Sequence, residues 1–359
     1  MSQPHVIVGM SGGVDSSVAA LLLKERGYRV SGLFMVNWTE DEQGYCSAAD
    51  DFQDARAVCE ELGIPLHRAD FSAEYRQRVF DRFLADYAAG RTPNPDVLCN
   101  REVKFQPFRE HALRLGADWI ATGHYARIEH RDDGPCLLRS LSDDKDQTYF
   151  LAAVAPEHLQ RVLFPVGELT KPQVREIARK AGLATHRKKD STGICFIGER
   201  NFREFLAQYL APRSGPMVDD AGKPVGEHRG LMFYTLGQRR GLSIGGRRGA
   251  REAPWYVIEK RAESNTLVVS QDPQHPRLLA REVRTRPFHW IHKPESMPPA
   301  LQARIRHRQA LQECSVELLD DGSAVVRFVQ AQRAAAPGQY LALYRGEECL
   351  GCGEIETAT

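Results

Sequence analysis

No apolar run in this chain approaches the ~20 consecutive residues that a membrane-spanning helix needs, and the longest obvious one covers residues 18–23. The first residues, Met1-Ser2-Gln3-Pro4-His5, carry no basic segment and lead straight into a strand-like run, so no secretory signal is expected. Cysteine is sparse, with eight residues in 359 scattered at positions 46, 59, 99, 136, 195, 314, 349 and 352. That is too few for a disulfide scaffold and fits a reducing cytoplasm, where an unpaired cysteine either packs or reacts. There is no internal repeat, and no low-complexity stretch beyond a Gly/Arg cluster at 239–251. A Walker A loop is missing as well: G-x-x-x-x-G-K-[ST] does not occur.

What is present is an ordinary soluble composition, with 42% hydrophobic and 26% charged residues, in a chain long enough for two or three domains. The net charge of +1 is unevenly spread. Residues 223–261 hold nine Lys/Arg against three Asp/Glu, and residues 276–312 hold eight against two, so each stretch carries +6 and the remainder −11. Such asymmetry suits a polyanion held by the C-terminal half; two solvated surface stretches are the plainer alternative.

Residues 5–10 form a short apolar, β-branched run, the mark of a buried strand. Ser11-Gly12-Gly13 follows, and Asp15 is expected to cap a helix that runs to Arg26 and stops at Gly27. Further strands are expected at 28–36, 65–71 and 118–122, and helices at 47–62, 73–89, 110–115 and 171–181, the last opened by a Thr170–Gln173 capping box. Alternating strands and helices imply an α/β domain: a doubly wound parallel sheet with helices on both faces. Ligands of such sheets bind at the carboxyl ends of the strands. After residue 209 the texture turns rich in glycine, proline and arginine. Short β-like runs appear at 255–259, 266–270, 315–319, 324–329 and 340–344, which predicts small β domains. The expected partition is 1–209, 210–275 and 276–359.

The segment Ser11-Gly12-Gly13-Val14-Asp15-Ser16-Ser17 lies between a buried strand and a helix start. Unpaired backbone N–H groups and the positive end of the helix dipole favour an anion there. Two glycines let the backbone approach a phosphate closely, and the serines add hydroxyl donors. Asp15 is a candidate magnesium ligand. Ser-Gly-Gly-x-Asp-Ser resembles the loop of enzymes that cleave ATP between its α and β phosphates. By itself the loop leaves the acceptor open among carboxylates, ureido oxygens and nucleobase carbonyls.

Two cysteines narrow the choice. Cys99 lies in Arg91-Thr92-Pro93-Asn94-Pro95-Asp96-Val97-Leu98-Cys99-Asn100, which reads as a loop by its prolines and asparagines. Cys195 follows a basic run and a Ser191-Thr192-Gly193 turn, where cations favour a thiolate. A lone cysteine is otherwise a small buried hydrophobe. Together with the phosphate loop, Asn94-Pro95-Asp96-x-x-Cys99-Asn100, Thr122-Gly123-His124-Tyr125-Ala126, Lys145-Asp146-Gln147, Gly193-Ile194-Cys195-Phe196-Ile197-Gly198 and Pro337-Gly338-Gln339 resemble, in the same order, the bacterial tRNA-specific 2-thiouridylases. The resemblance covers essentially the whole chain.

That resemblance implies a pyrophosphate-loop domain of the adenine nucleotide alpha hydrolase type, a small central β domain and a C-terminal β-barrel that binds tRNA. It implies ATP-dependent 2-thiolation of the wobble uridine. Adenylation of the C2 oxygen makes AMP a leaving group, and sulfur then arrives as a nucleophile. Cys195 would carry a persulfide from a donor protein. Cys99 would attack it to release sulfide, or close a disulfide with Cys195 after transfer. Asp96 would serve as acid/base or position the uridine; a turn-capping role is its alternative. The matched ATP contacts are Gly9, Met10, Ser11, Gly12, Gly13, Val14, Asp15, Ser16, Met35 and Gly123. Asn94, Pro95 and Asp96 would meet the target base. His124, Lys145, Asp146, Gln147, Arg306, His307 and Gln339 would lie along the tRNA. ATP with Mg2+, a persulfide donor and the tRNAs for Lys, Glu and Gln are the implied ligands of a monomeric cytoplasmic enzyme that needs no membrane. An iron–sulfur cluster on Cys99, Cys195 and Asp96 is a variant of the sulfur chemistry.

The Gly230–Gly241 segment and the Gly/Arg residues after it read as a basic, RNA-facing stretch. Cys349-Leu350-Gly351-Cys352 is a single C-x-x-C without a second Cys/His pair, so strand residues are expected rather than a zinc or redox site. The family usually has glycine at position 352. Two alternatives stand beside the thiolase. An amidating pyrophosphate-loop synthetase explains the loop but not the cysteines, and an RNA-binding protein with a vestigial nucleotide site predicts tRNA affinity without AMP release.

Overall fold

The computed structural model describes residues 3–38, 47–189, 202–244 and 253–359. Cys46, Cys195 and the Gly/Arg residues 245–252 lie outside the described residues.

Four strands, β1 (His5–Met10), β2 (Arg29–Val36), β3 (Leu66–Asp70) and β4 (Trp119–Thr122), pair in parallel in the order β3-β2-β1-β4. Strand period decides which side chains meet which layer. Val6, Val8 and Met10 face a cluster with Val14 and Val18 of helix α1 (Val14–Glu25) and Val58 of α2 (Ser47–Leu62). Ile7 and Leu33 face the opposite cluster with Phe71, Phe108 and Ile120. Both faces are therefore covered, as the near-continuous apolar strands required. Val6, Ile7 and Val8 are fully buried, and each such side chain contributes roughly 1.5–3 kcal/mol.

Two local outcomes depart from expectation. α1 is capped by the backbone of extended Gly13 with no side-chain cap, and Asp15 sits in the first turn, its carboxylate turned to partners outside the helix. The 91–100 stretch is not all loop. After α3 (Ser72–Tyr75), a π-helical turn (Arg76–Phe80) and α4 (Asp81–Ala88), residues Pro95–Cys99 form α5. The Asn94 side chain accepts from the Val97 amide at 3.2 Å and Pro95 fills the first turn, so the residues that read as loop punctuation are a helix start. A π-helical turn (Asn100–Lys104) and α6 (Pro107–Arg114) continue to β4.

After β4 a hairpin of β5 (Ala126–Arg131) and β6 (Gly134–Arg139) leaves the first sheet. Helices α7 (Thr148–Leu151) and α8 (Pro156–Leu159), strand β7 (Val162–Leu163) beside β4, and α9 (Lys171–Lys180) complete the layer; α10 (Phe202–Ala207) follows. The capping box at Thr170–Gln173 is present as expected. Next comes a four-stranded sheet of β8 (Gly215–Val218), β9 (Pro224–His228), β10 (Tyr256–Arg261) and β11 (Thr266–Ser270). The C-terminal strands are β12 (Leu279–Thr285), β13 (His289–Trp290), β14 (Leu301–Arg304), β15 (Gln312–Leu318), β16 (Ala324–Arg333), β17 (Tyr340–Arg345) and β18 (Glu348–Ala358). Six of them close into a barrel in the order β12-β16-β15-β14-β17-β18, with β18 returning to β12. The hairpin docks on this barrel through β6 and β18, with Leu138 opposite Glu348. Cys349 and Cys352 are buried strand residues of β18, as expected. Phe233 and Tyr234, expected to face RNA, are buried instead, whereas Arg239 and Arg240 are exposed.

Candidate active site

The phosphate loop follows β1 at the carboxyl edge of the sheet, next to the ends of β2 and β4. Its shape is fixed by its own hydroxyls. Ser16 Oγ donates to the Gly13 carbonyl at 3.0 Å and accepts from the Ser11 amide at 3.2 Å, and Ser17 Oγ donates to the same carbonyl at 2.9 Å. Gly12 has φ +72°, and a Cβ there would lie 2.3 Å from the Asp51 carbonyl oxygen. The glycine is thus required both by backbone conformation and by the close approach of α2.

Three consecutive residues after β4 join this loop to the rest of the site. Gly123 lies against the first turn of α1, where a Cβ would come within 2.6 Å of the Ser16 nitrogen. His124 turns the other way: its Nδ1 pairs with Thr122 Oγ1 at 2.7 Å and its ring lies 6.0 Å from that of Phe105. Burial first, and then Lys104, push its pKa well below the ordinary histidine value, so it is neutral at pH 7. Tyr125 donates through its hydroxyl to Asp15 Oδ1 at 2.8 Å, while its backbone is held from both sides by Gln147. Met35, near the end of β2, is half-buried beside the apolar cluster.

Asp15 has a further partner that sequence reading missed. Lys171, the first residue of α9, donates to both carboxylate oxygens at 2.8 Å. The two residues are 156 positions apart, so only the packed fold reveals the pair.

Cys99 ends α5 and is buried; Asp96, on the same short helix, is half-buried. Burial lifts the Asp96 carboxyl above the usual carboxylate range, and Lys104 draws it partly back. Lys104 also donates to Asn100 Oδ1 at 3.0 Å. This lysine was not anticipated either, and it is the cation shared by Asp96, His124 and Asn100. A carboxyl that burial makes more basic, beside a thiol on one helical turn, suits proton transfer next to a sulfur nucleophile.

The barrel completes the surroundings. Gln339 accepts from Asn94 Nδ2 at 3.3 Å and donates to the Thr92 and Pro93 carbonyls at 2.8 and 3.2 Å, so it clasps the segment that leads into α5. His307 packs against Phe150 with ring centroids 4.5 Å apart and the rings tilted by 37°, and the Phe150 carbonyl accepts from Asn100 Nδ2 at 3.1 Å. Burial and the neighbouring Arg308 and Arg304 push the His307 pKa down to about 4. Arg306 beside it is exposed. A groove of about 680 Å³ is lined by Arg139, Lys145, Arg304 and Arg308 together with Asp143 and Asp144, so Lys145 and Arg308 border one depression with a modest basic excess. Asp146 points inward rather than into it. Its carboxylate is fully buried, bonded at 2.7 Å to the equally buried Arg304 and at 2.9 Å to Thr148 Oγ1. Cys195 lies outside the described residues.

A glycine-rich anion loop between a parallel strand and a helix, at the carboxyl edge of a doubly wound sheet, defines a nucleotide-binding α/β enzyme of the pyrophosphate-loop class. Family models match the chain in three consecutive segments. The tRNA methyl transferase HUP domain matches residues 4–199, the tRNA methyl transferase PRC-barrel domain 203–271 and the Aminomethyltransferase beta-barrel domain 280–355. The tRNA-specific 2-thiouridylase MnmA of Pseudomonas paraeruginosa is 55% identical over 356 residues, which cover 99% of this chain and 95% of that protein. Its namesake in Stutzerimonas stutzeri is also 55% identical over the same shares, and that of Xanthomonas oryzae pv. oryzae is 54% identical over 100% of this chain and 95% of its own. The chain belongs to the tRNA-specific 2-thiouridylase family.

Proposed function

We propose that this protein is a tRNA-uridine 2-sulfurtransferase that consumes ATP to replace the C2 oxygen of the wobble uridine, position 34, with sulfur. The observation that carries the reading is the junction at residues 123–125. Gly123 and Tyr125 contact the phosphate loop while His124 faces the turn after Cys99, so an ATP site and a thiol site share one edge of the sheet. ATP lies along Gly9, Met10, Ser11, Gly12, Gly13, Val14, Asp15 and Ser16, with Met35 and Gly123 bordering it. The uridine O2 attacks the α-phosphorus, pyrophosphate leaves, and the base becomes an O2-adenylate. Magnesium on ATP needs one or two carboxylates besides phosphate oxygens, and Asp15 is the carboxylate at this loop.

The base is turned out of the anticodon loop to reach this chemistry. Asn94, Pro95 and Asp96 receive it, and Asp96 manages the proton. A persulfide on Cys195, loaded by a donor protein, supplies the sulfur. Either its terminal sulfur attacks C2 and displaces AMP, after which Cys99 closes a disulfide with Cys195 and leaves 2-thiouridine, or Cys99 first attacks the persulfide and frees sulfide as the nucleophile. Lys145, Gln147, His124, Arg306, His307 and Gln339 hold the tRNA, and Asp146 keeps the Lys145–Gln147 turn in place through Arg304. The tRNAs for Lys, Glu and Gln are the substrates of a monomeric cytoplasmic enzyme. Among the described residues no helix is long and apolar enough to cross a membrane.

The test is Cys99→Ser, assayed for 2-thiouridine formation and for tRNA affinity. Thiolation is lost and the tRNA dissociation constant is unchanged. Full activity in Cys99→Ser would remove that residue from the mechanism.

A further inference from the structure

The phosphate loop contains neutral donors only. Between Ser11 and Ser17 there is no lysine or arginine, and the Ser16 and Ser17 hydroxyls are directed at the Gly13 carbonyl. Walker-type loops bring their own lysine to the β and γ phosphates. Apart from the magnesium that ATP would bring, a polyphosphate of several negative charges meets here a loop whose one charged side chain, Asp15, has the same sign.

Lys171 answers this deficit. Its ammonium spans both Asp15 oxygens at 2.8 Å and lies 5.9 Å from the centre of the Tyr125 ring. The pair is largely withdrawn from solvent, with side-chain exposures of 12% for Lys171 and 31% for Asp15. The lysine is also rigidly presented. It opens α9 directly after the Thr170–Gln173 capping box, and Val174 and Ala178 of that helix pack in the same cluster as Val14 and Val18 of α1. An acid in the first turn of a helix is already stabilised by the dipole, so neutralising Asp15 alone does not account for burying an ammonium at this spot.

We infer that Lys171 is the phosphate-binding cation of this loop, delivered from α9 instead of from the loop itself. Its ammonium bonds the phosphate oxygens of ATP, with Asp15 and Tyr125 holding it at the right height over the N-terminus of α1. The inference rests on the ATP-consuming function proposed above and adds a binding residue to it.

A double-mutant cycle between positions 15 and 171 separates a phosphate ligand from a mere partner of Asp15. Dissociation constants for ATP and for adenosine are measured on the full chain for wild type, Asp15→Asn, Lys171→Met, Asp15→Asn/Lys171→Met and Lys171→Arg, with thermal unfolding as the folding control. In the Asp15→Asn background, where there is no carboxylate left to neutralise, Lys171→Met is expected to weaken ATP binding by roughly 10- to 100-fold, the range of one charge-assisted hydrogen bond. Adenosine binding stays within about twofold, because it has no phosphate for a charge to meet. Lys171→Arg keeps part of the affinity for ATP. Lys171→Gln carries the same reading where Lys171→Met does not fold. An unchanged ATP constant in the double variant overturns the inference and leaves Lys171 as a partner of Asp15 only. A wild-type protein that binds no ATP defeats the proposed function itself, which is a different failure.

Discussion

Gly123→Ala is a one-carbon perturbation whose cost is set by backbone, not by adjustable side chains. The added Cβ would lie 2.6 Å from the Ser16 nitrogen, 2.7 Å from the Asp15 carbonyl carbon and 3.0 Å from Asp15 Cβ. Ordinary contact begins at 3.4 Å, so the first turn of α1 must retreat by about 0.8 Å to accept it. That turn has little freedom, because the Asp51 carbonyl already closes on Gly12 from another side. Overpacking of this kind costs roughly 1–3 kcal/mol of stability. The larger effect falls on ATP, whose phosphates depend on amides at fixed positions; a misplacement of about 1 Å costs on the order of 100-fold in rate. Gly123→Ala is therefore expected to raise the ATP dissociation constant at least roughly tenfold, the equivalent of about 1.4 kcal/mol, while tRNA affinity holds. Titration calorimetry with ATP, paired with thermal unfolding, reads both quantities. Gly116→Ala is the control, since Gly116 has φ +83° but nothing within 4 Å of its Cβ position. It costs about 1–2 kcal/mol of local backbone strain and leaves ATP binding alone. An ATP constant within about twofold of wild type in Gly123→Ala would refute the claim that residue 123 buttresses the loop.

Arg304→Met strands the buried Asp146 carboxylate, whose exposure is 0%, and a broken buried pair of this kind costs about 3–5 kcal/mol. Urea denaturation measures it, a loss under about 1 kcal/mol contradicts it, and Arg304→Met/Asp146→Leu recovers most of the stability. Arg306→Ala and Lys145→Ala each reduce the slope of log tRNA affinity against log salt by about 0.7–1. Asp146→Asn, at a buried position, leaves that slope unchanged, and a wild-type slope in both other variants would remove Arg306 and the Lys145 side of the groove from the tRNA path.

The strand, glycine loop and helix at residues 5–25 were legible because the signal is local: a β-branched run, two glycines and a periodic helix stopped by Gly27. Asn94 and Pro95 were misread because the same residues serve loops and helix starts, and only the Val97 amide on the Asn94 side chain decides between them. The β5–β6 hairpin was not read from the sequence, its two-residue turn being Asp132-Asp133 and not the Asn-Gly or Asp-Gly centre that marks such loops. Its docking on the barrel was not legible, since it depends on Leu138 meeting Glu348. Composition marked 230–241 as basic, yet Phe233 and Tyr234 turn inward, because aromatic side chains serve a core as readily as they stack on bases. Lys171, Lys104 and the Arg304–Asp146 pair could not be found from the sequence. Lys171 and Arg304 owe their roles to contacts 156 and 158 residues away, and Lys104 to a π-helical turn that brings it back over Asn100.

Whether this chain thiolates tRNA is tested most directly by mass spectrometry of nucleosides from an unmodified tRNA-Lys transcript incubated with the protein, ATP, magnesium and a persulfide donor. The expected result is 2-thiouridine at the wobble position, formed only with ATP, matched by AMP release and lost in Cys195→Ser. Absence of thiouridine, with AMP released on some other acceptor, would keep the pyrophosphate-loop chemistry and contradict tRNA thiolation.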